Sequence, residues 1–196
     1  MDAEPQNDIV IIGCGPVALF CVFQLGLFGF KCHLIDARDR PGGQCTALYA
    51  DKPIYDVPGF SEIMGEELIE RLLKQIEPYN PVFHFNQVVD GISVDGDGVV
   101  VLTRGGSRFK AGGAVIASGL GAFAVDGQVI RPDPLIELSL LKTGNMLTVN
   151  PETFRTSSPK VYAIGDSCHY PGKLKLILSG FHEAALMTQA IRRELR

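Results

Sequence analysis

The ordered pattern of the chain begins at Asp8-Ile-Val-Ile-Ile12, where no polar position follows the first. An unbroken apolar run of that length, mostly β-branched, suits a strand buried on both faces, and such strands belong to parallel sheets. From Leu19 to Phe30 the chain is again apolar, with Gln24 its one strongly polar side chain, which predicts a buried helix. Lys31 to Ile35 reads as the next strand and Asp36 closes it, so the first 36 residues predict one β-turn-α-β unit. Between Met64 and Ile76, Leu68, Leu72, Leu73 and Ile76 recur at helical spacing as a core-facing stripe. From Val82 to Ala117 short apolar runs are punctuated by Asp-Gly turns at 90 and 95 and Gly-Gly turns at 105 and 112, the pattern of a small antiparallel β layer. The expected fold class is therefore α/β: a Rossmann-like domain with a parallel central sheet and a small antiparallel layer.

The turn after the first strand carries the chemistry. In Gly13-Cys14-Gly15-Pro16-Val17-Ala18, Gly13 permits a tight turn and Gly15 lets the backbone approach a pyrophosphate with no Cβ in the way. Ala18 stands where a third glycine is usual and is still small enough for close helix-to-strand packing. Phosphates would then sit on the helix amino terminus. Asp36 lies 21 residues after Gly15 at a strand end, where a carboxylate accepts both hydroxyls of an unphosphorylated ribose. That favours FAD or NAD over NADP at this position.

Composition narrows the partners. With 46% hydrophobic residues and mean hydropathy +0.16 the chain can bury a core, but 196 residues do not hold two full nucleotide-binding domains. Eighteen basic against 22 acidic residues give a net charge of −4, with no basic stripe for nucleic acid. Met1 to Asn7 is acidic and polar rather than signal-like, and no apolar run reaches the ~18 residues of a membrane span, so a cytoplasmic protein without membrane partners is expected. The cysteines Cys14, Cys21, Cys32, Cys45 and Cys168 lack C-x-x-C spacing, which argues against disulfide frameworks and zinc.

Further motifs separate FAD from NAD. Arg38-Asp-Arg-Pro-Gly42-Gly43-Gln44 is followed by Ala47-Leu-Tyr49-Ala-Asp-Lys-Pro-Ile-Tyr55-Asp56-Val-Pro-Gly59-Phe60. Towards the end come Val161-Tyr-Ala-Ile-Gly165-Asp166 and Tyr170-Pro-Gly-Lys-Leu-Lys-Leu-Ile-Leu-Ser-Gly-Phe-His-Glu-Ala-Ala-Leu186. Together these segments resemble the thioredoxin-reductase-like (bacterial type 2) ferredoxin–NADP(+) reductases over residues 8 to about 123 and about 134 to 192. The resemblance implies a flavoprotein with FAD as cofactor. It also implies a parent reaction in which NADPH gives a hydride to the flavin, which then passes single electrons to ferredoxin or a similar carrier. A homodimer is among the assemblies it allows.

The same resemblance assigns roles. Gly13, Gly15, Pro16 and Val17 would hold the pyrophosphate, Asp36 the ribose, and Gly43, Gln44 and Tyr49 the flavin side, with the Tyr49 ring against the isoalloxazine. Asp56 joins the flavin site, Val89 would bind the adenine through its backbone, and Phe123 would follow a strand near the cofactor. Asp166 would accept from the ribityl chain, while Lys173 and Leu174 open a helix whose positive end faces the flavin. His182 and Glu183 read as helix-face residues rather than catalytic ones.

One departure matters as much as the matches. Members of the family leave the strand near Ala114 to Gly119 for a complete NADPH domain of roughly 100 residues or more, whereas here about ten residues bridge the gap. Gly119-Leu-Gly121-Ala-Phe-Ala124 spells G-x-G-x-x-A, but Val125 to Pro134 contains Gly127, Pro132 and Pro134 and predicts no helix to receive a phosphate. The expected organisation is one discontinuous FAD-binding domain, residues 1–123 and 134–196, with 124–133 a short connection in place of the NADPH domain. The family's carboxyl-terminal extension is also expected to be missing after Arg196. NADPH-dependent turnover would then be lost or very low, and a flavin-binding scaffold without turnover is the alternative. Cys45 has Ala50 rather than a second cysteine five residues on, so disulfide exchange is not expected.

Overall fold

In a computed structural model, residues 8–119, 124–125, 128–129 and 139–195 are described. The first half runs β1 (Asp8–Ile12), α1 (Pro16–Gly26), β2 (Lys31–Ile35), α2 (Gln44–Ala47), β3 (Pro53–Ile54), β4 (Ile63–Met64), α3 (Gly65–Ile76) and β5 (Val82–His84). Then come β6 (Val89–Asp95), β7 (Gly98–Thr103), β8 (Arg108–Ala111) and β9 (Gly113–Ile116). After them follow β10 (Ala124–Val125), β11 (Gln128–Val129), β12 (Lys142–Thr143), β13 (Met146–Thr148), β14 (Val161–Ala163), β15 (Cys168–His169) and α4 (Ile177–Leu195).

Five strands form the central parallel sheet in the order β14-β9-β1-β2-β5. The central strand β1 carries Ile9 to Ile12 at no more than 4% exposure, as an apolar run between two neighbours and two covered faces requires. Helix α1 packs against both α3 and α4, and none of its residues is fully exposed. Its approach to α4 depends on Gly180, where a Cβ would stand 2.3 Å from Cγ2 of Val17. The antiparallel layer is β6-β7-β8, and β8 runs through Gly112 into β9. Strands β9 and β14, on opposite sides of the segment 120–138, pair in register, Val161 opposite Ala114. Within that segment β10 and β11 pair antiparallel, so Ala124 and Val125 are extended rather than the start of a helix.

Two helix boundaries differ from the sequence reading. α1 stops at Gly26, short of Phe30, because Gly29 takes φ 76° and turns the chain back. The Gly29 and Phe30 amides donate to the carbonyls of Gly26 and Leu25 at 2.9 and 3.3 Å, a Schellman closure that satisfies the last carbonyls. The last helix begins at Ile177, not near Lys173.

At the β2–β5 edge, Nδ1 of His33 lies 3.3 Å from Nε2 of His84 with the rings stacked, and Asp8 sits 3.6 Å from His33 on the other side. Burial, and then the neighbouring His33, push the His84 pKa below its ordinary 6.5. As pH falls through about 6.5 the unfolded chain takes up a proton that folded His84 resists, so this group lowers stability on acidification. Thermal melts at acid and neutral pH should therefore differ more in the parent chain than in His84→Phe. An equal acid loss in both would assign the effect elsewhere.

Candidate nucleotide-binding cleft

The strands that follow β1 in sequence build outward on one side through β2 and β5, then resume on the other with β9 and β14. At such a reversal the loops after neighbouring strands diverge and leave a crevice at the carboxyl ends. Here Gly13, Cys14 and Gly15 after β1 and Ala117, Ser118 and Gly119 after β9 line a cleft of about 650 Å³. That volume falls within the ~300–1,000 Å³ typical of small-molecule and cofactor sites.

Two glycines of the turn are needed for different reasons. Gly13 has φ 106°, and a Cβ on it would stand 2.4 Å from the Ala117 carbonyl oxygen, so it lets the loops after β1 and β9 touch. Gly15 has φ −81°, open to any residue, and a Cβ there meets nothing within 4 Å. The missing side chain therefore serves the open space of the cleft rather than the packing. Directly after it α1 begins with Pro16 in its first turn, with no side chain capping it and no acidic residue in that turn. An uncapped amino end at a cleft attracts an anion through its free N–H groups and the helix dipole.

Asp36, 3% exposed, is fixed by the backbone around it. One oxygen accepts the Cys14 amide and the other the Arg38 amide, each at 2.9 Å. A carboxylate offers about four acceptor sites, so a group of this kind can accept hydroxyl donors as well as amides. The loop after β2 folds over the turn: the Gly42 amide donates to the Cys14 carbonyl at 2.7 Å, and the Arg38 guanidinium to the Gly43 carbonyl. Gly43, at φ 56°, comes so close that its Cβ would lie 3.1 Å from the Gly15 Cα.

The opposite wall comes from the chain's last third. Gly165 and Asp166 follow β14, and Lys175, Leu176 and Ile177 lead into α4. Asp56 joins this wall to the segment 52–56, which contains β3, because its Oδ2 accepts the amides of Ile177 and Leu178 at 2.7 and 3.3 Å. Its carboxylate thus caps α4, so the positive end of that helix already holds a negative charge. Behind the wall, Glu183 is fully buried. It accepts from the Gly165 amide at 2.7 Å, from the Tyr170 hydroxyl at 2.8 Å and from the Lys173 ammonium.

Of the residues expected at the site, Gly13, Gly15, Pro16, Val17, Asp36, Gly43, Gln44, Tyr49, Asp56 and Asp166 share this one cleft. Lys173 does not line it; its side chain, 4% exposed, is turned into the pair with Glu183. Leu174 is 60% exposed and also away from the lining. Both follow from the later start of α4, which puts Lys175 to Ile177 where those two were expected. Val89 is buried in β6 outside the lining, and Phe123 lies outside the described residues. Sequence reading missed Lys52, Ser118 and Lys175, which line the cleft without a local pattern that marks them. Cys45 also lines the cleft, but burial and then the charge of Asp56 push its thiol up to about 11, so it stays protonated at neutral pH. All five cysteines are free and buried. Among the described residues no helix is long and apolar enough to cross a membrane, and no cluster of metal-binding side chains occurs.

Fold and cleft together define a Rossmann-like dinucleotide-binding protein, and residues 11–76 match the family model of an NAD(P)-binding Rossmann-like domain. The chain is 31% identical to the ferredoxin–NADP reductase of Mesorhizobium japonicum over 311 aligned positions, spanning 96% of this chain and 91% of that protein. It is 30% identical to that of Parvibaculum lavamentivorans, spanning 94% and 90%. With the Wolbachia pipientis ferredoxin–NADP reductase the match is shorter and stronger, 46% over 119 residues, or 60% of this chain and 36% of that one. The chain belongs to the ferredoxin–NADP reductase family. The 311 aligned positions exceed its 196 residues by 115, so at least that many positions lie opposite a gap in this chain. The fold is that of the thioredoxin reductases. The Lactococcus lactis enzyme superposes with a TM-score of 0.78 at 15% identity, spanning 96% of this chain and 98% of that one. The Streptococcus pyogenes enzyme gives 0.77 at 17%, spanning 95% and 97%.

Proposed function

We propose that the cleft holds FAD and that the chain is the flavin-binding part of a ferredoxin–NADP reductase. In this reading a discontinuous domain, 1–123 and 134–196, is bridged by 124–133 where the family carries its NADPH domain. The observation that carries the reading is the pairing of Gly15, which leaves open space at an uncapped helix start, with Asp36 at the neighbouring strand end. One element receives a pyrophosphate, and the other an unphosphorylated ribose.

Gly13, Gly15, Pro16 and Val17 would hold the pyrophosphate and Asp36 the ribose. Gly43, Gln44, Tyr49, Asp56 and Asp166 would surround the flavin half. Tyr49 is 39% exposed, with the Lys52 ammonium 4.8 Å from its ring centroid, which leaves much of the ring for stacking. Asp36 is buried and held by two amides, so its carboxylate is fixed in place before a ribose arrives. When bound, FAD takes up electrons in pairs and releases them singly, which suits a carrier such as ferredoxin as partner. The family match and the cleft's size support this assignment, and the 115 or more positions opposite gaps are in keeping with the reading of a bridged domain.

Titration with FAD tests it. Asp36→Asn keeps the size and one acceptor oxygen but loses the charge that strengthens both ribose contacts, so FAD should bind about 10- to 100-fold more weakly, or ~1.5–3 kcal/mol. Circular dichroism should still report a folded chain. Equal affinity in Asp36→Asn and the parent would mean that this carboxylate holds no ribose.

A further inference from the structure

The carboxylate of Glu183 is tied to both ends of one wall without lining the cleft. One end is Gly165, the first residue after β14 and Ile164, in the left-handed region at φ 67°. Its amide donates to Oε2 of Glu183 at 2.7 Å. The other end is the loop before α4, where Tyr170 and Lys173 donate to Oε1. Lys173 and Glu183 are 4% and 0% exposed in their side chains, so the ion pair is cut off from water. Gly165 and Asp166 line the cleft on one side of this carboxylate, and Lys175, Leu176 and Ile177 on the other.

A buried ion pair is weak as a source of stability, because desolvation offsets most of its Coulomb attraction. Hydrophobic residues of the same shape would hold a helix to a loop at least as well. What a carboxylate adds is direction: several donors converge on two oxygens, and each fixes the segment that carries it. Breaking the set leaves an ammonium buried without a counter-charge, which neither segment accommodates without moving.

We infer that Glu183 is a positioning residue for the cofactor. Through Gly165 and Lys173 it sets the distance between the 165–166 and 173–177 segments, so that an occupant of the cleft meets both in place. The ligand named here rests on the FAD reading; the mechanical claim, that one carboxylate holds the two segments together, does not.

The experiment compares the parent chain, Glu183→Gln and the double variant Lys173→Met/Glu183→Gln. Three quantities are read on each: Tm, FAD affinity by flavin fluorescence, and hydrogen exchange of the amides at 165–166 and 173–177 without FAD. Glu183→Gln should lower Tm, bind FAD about tenfold or more weakly, within the about 5- to 150-fold span of couplings to a binding site, and lose protection in both segments together. The double variant no longer buries a lone ammonium, so Tm should recover while affinity and protection stay low. A purely structural role predicts that affinity and protection recover with Tm, and that result would overturn the inference, as would unchanged affinity and exchange in folded Glu183→Gln. A parent chain that binds no FAD would sink the cofactor reading, and the exchange data would then decide the positioning claim.

Discussion

Anaerobic mixing of the FAD-loaded chain with excess NADPH is expected to leave the flavin band almost unchanged, while light-driven reduction of the same sample bleaches it. Hydride transfer needs the nicotinamide C4 held about 3–3.5 Å from the flavin. Holding it there supplies an effective molarity of up to about 10⁵–10⁸ M, or ~7–11 kcal/mol of barrier. A chain without a second nucleotide site gains none of this from a passing NADPH. The glycine turn after β1 offers no substitute. The β-α-β unit it opens closes on Asp36, whose charge opposes the 2′-phosphate, and the Arg38 guanidinium beside it is engaged on the Gly43 carbonyl. Stopped-flow absorbance decides the matter. Saturable bleaching at about 10 s⁻¹, an ordinary enzymatic rate, would mean that a nicotinamide site exists and that 124–133 does not stand for an excised domain.

A second large effect is expected from the two glycines of the turn, and the two should fail in opposite ways. Gly15→Val should fold and bind almost no FAD. Its backbone, φ −81° and ψ −179°, is where β-branched residues are at ease, and a Cβ there touches nothing in the protein. The added methyls stand where the pyrophosphate would meet the helix start, so affinity should fall by at least about 100-fold, or ~2.7 kcal/mol. Gly13→Ala should instead damage the fold. An alanine at φ 106° costs ~1–3 kcal/mol, and its Cβ, 2.4 Å from the Ala117 oxygen, drives apart the loops after β1 and β9 at a similar further cost. Against a typical stability of ~5–15 kcal/mol that leaves a marginal protein. Melting temperature and FAD titration on both variants separate the effects. A well-folded Gly13→Ala, or normal flavin occupancy in Gly15→Val, would contradict the geometry assigned to the turn.

What the sequence made legible was set by local rules. Asp8 to Ile12, the glycine turn, the strand ending at Asp36 and the antiparallel layer all follow from residues within a few positions of one another. The α1 end was misplaced because an apolar run continues to Phe30, whereas Gly29 reverses the chain by its backbone angle, which hydrophobicity does not register. α4 starts at Ile177, and Lys173 before it pairs with Glu183, ten residues on, a spacing that no helical pattern marks. Asp56 was expected at the flavin and does line the cleft, yet its bonds run to Ile177 and Leu178, more than 120 residues away. Contacts of that range become visible only when the sheet brings β14 beside β9. Glu183 was read as a helix-face acid, and burial turns it into the hub of the far wall.

Whether this cleft is a flavin site is decided by the visible absorbance of the purified chain, with the released cofactor identified by chromatography. The purified chain should be yellow with a visible flavin band, and FAD, not FMN or NAD, should be freed on denaturation at about one per chain. A colourless chain that stays colourless and binds no FAD after incubation with excess cofactor would contradict the flavin assignment.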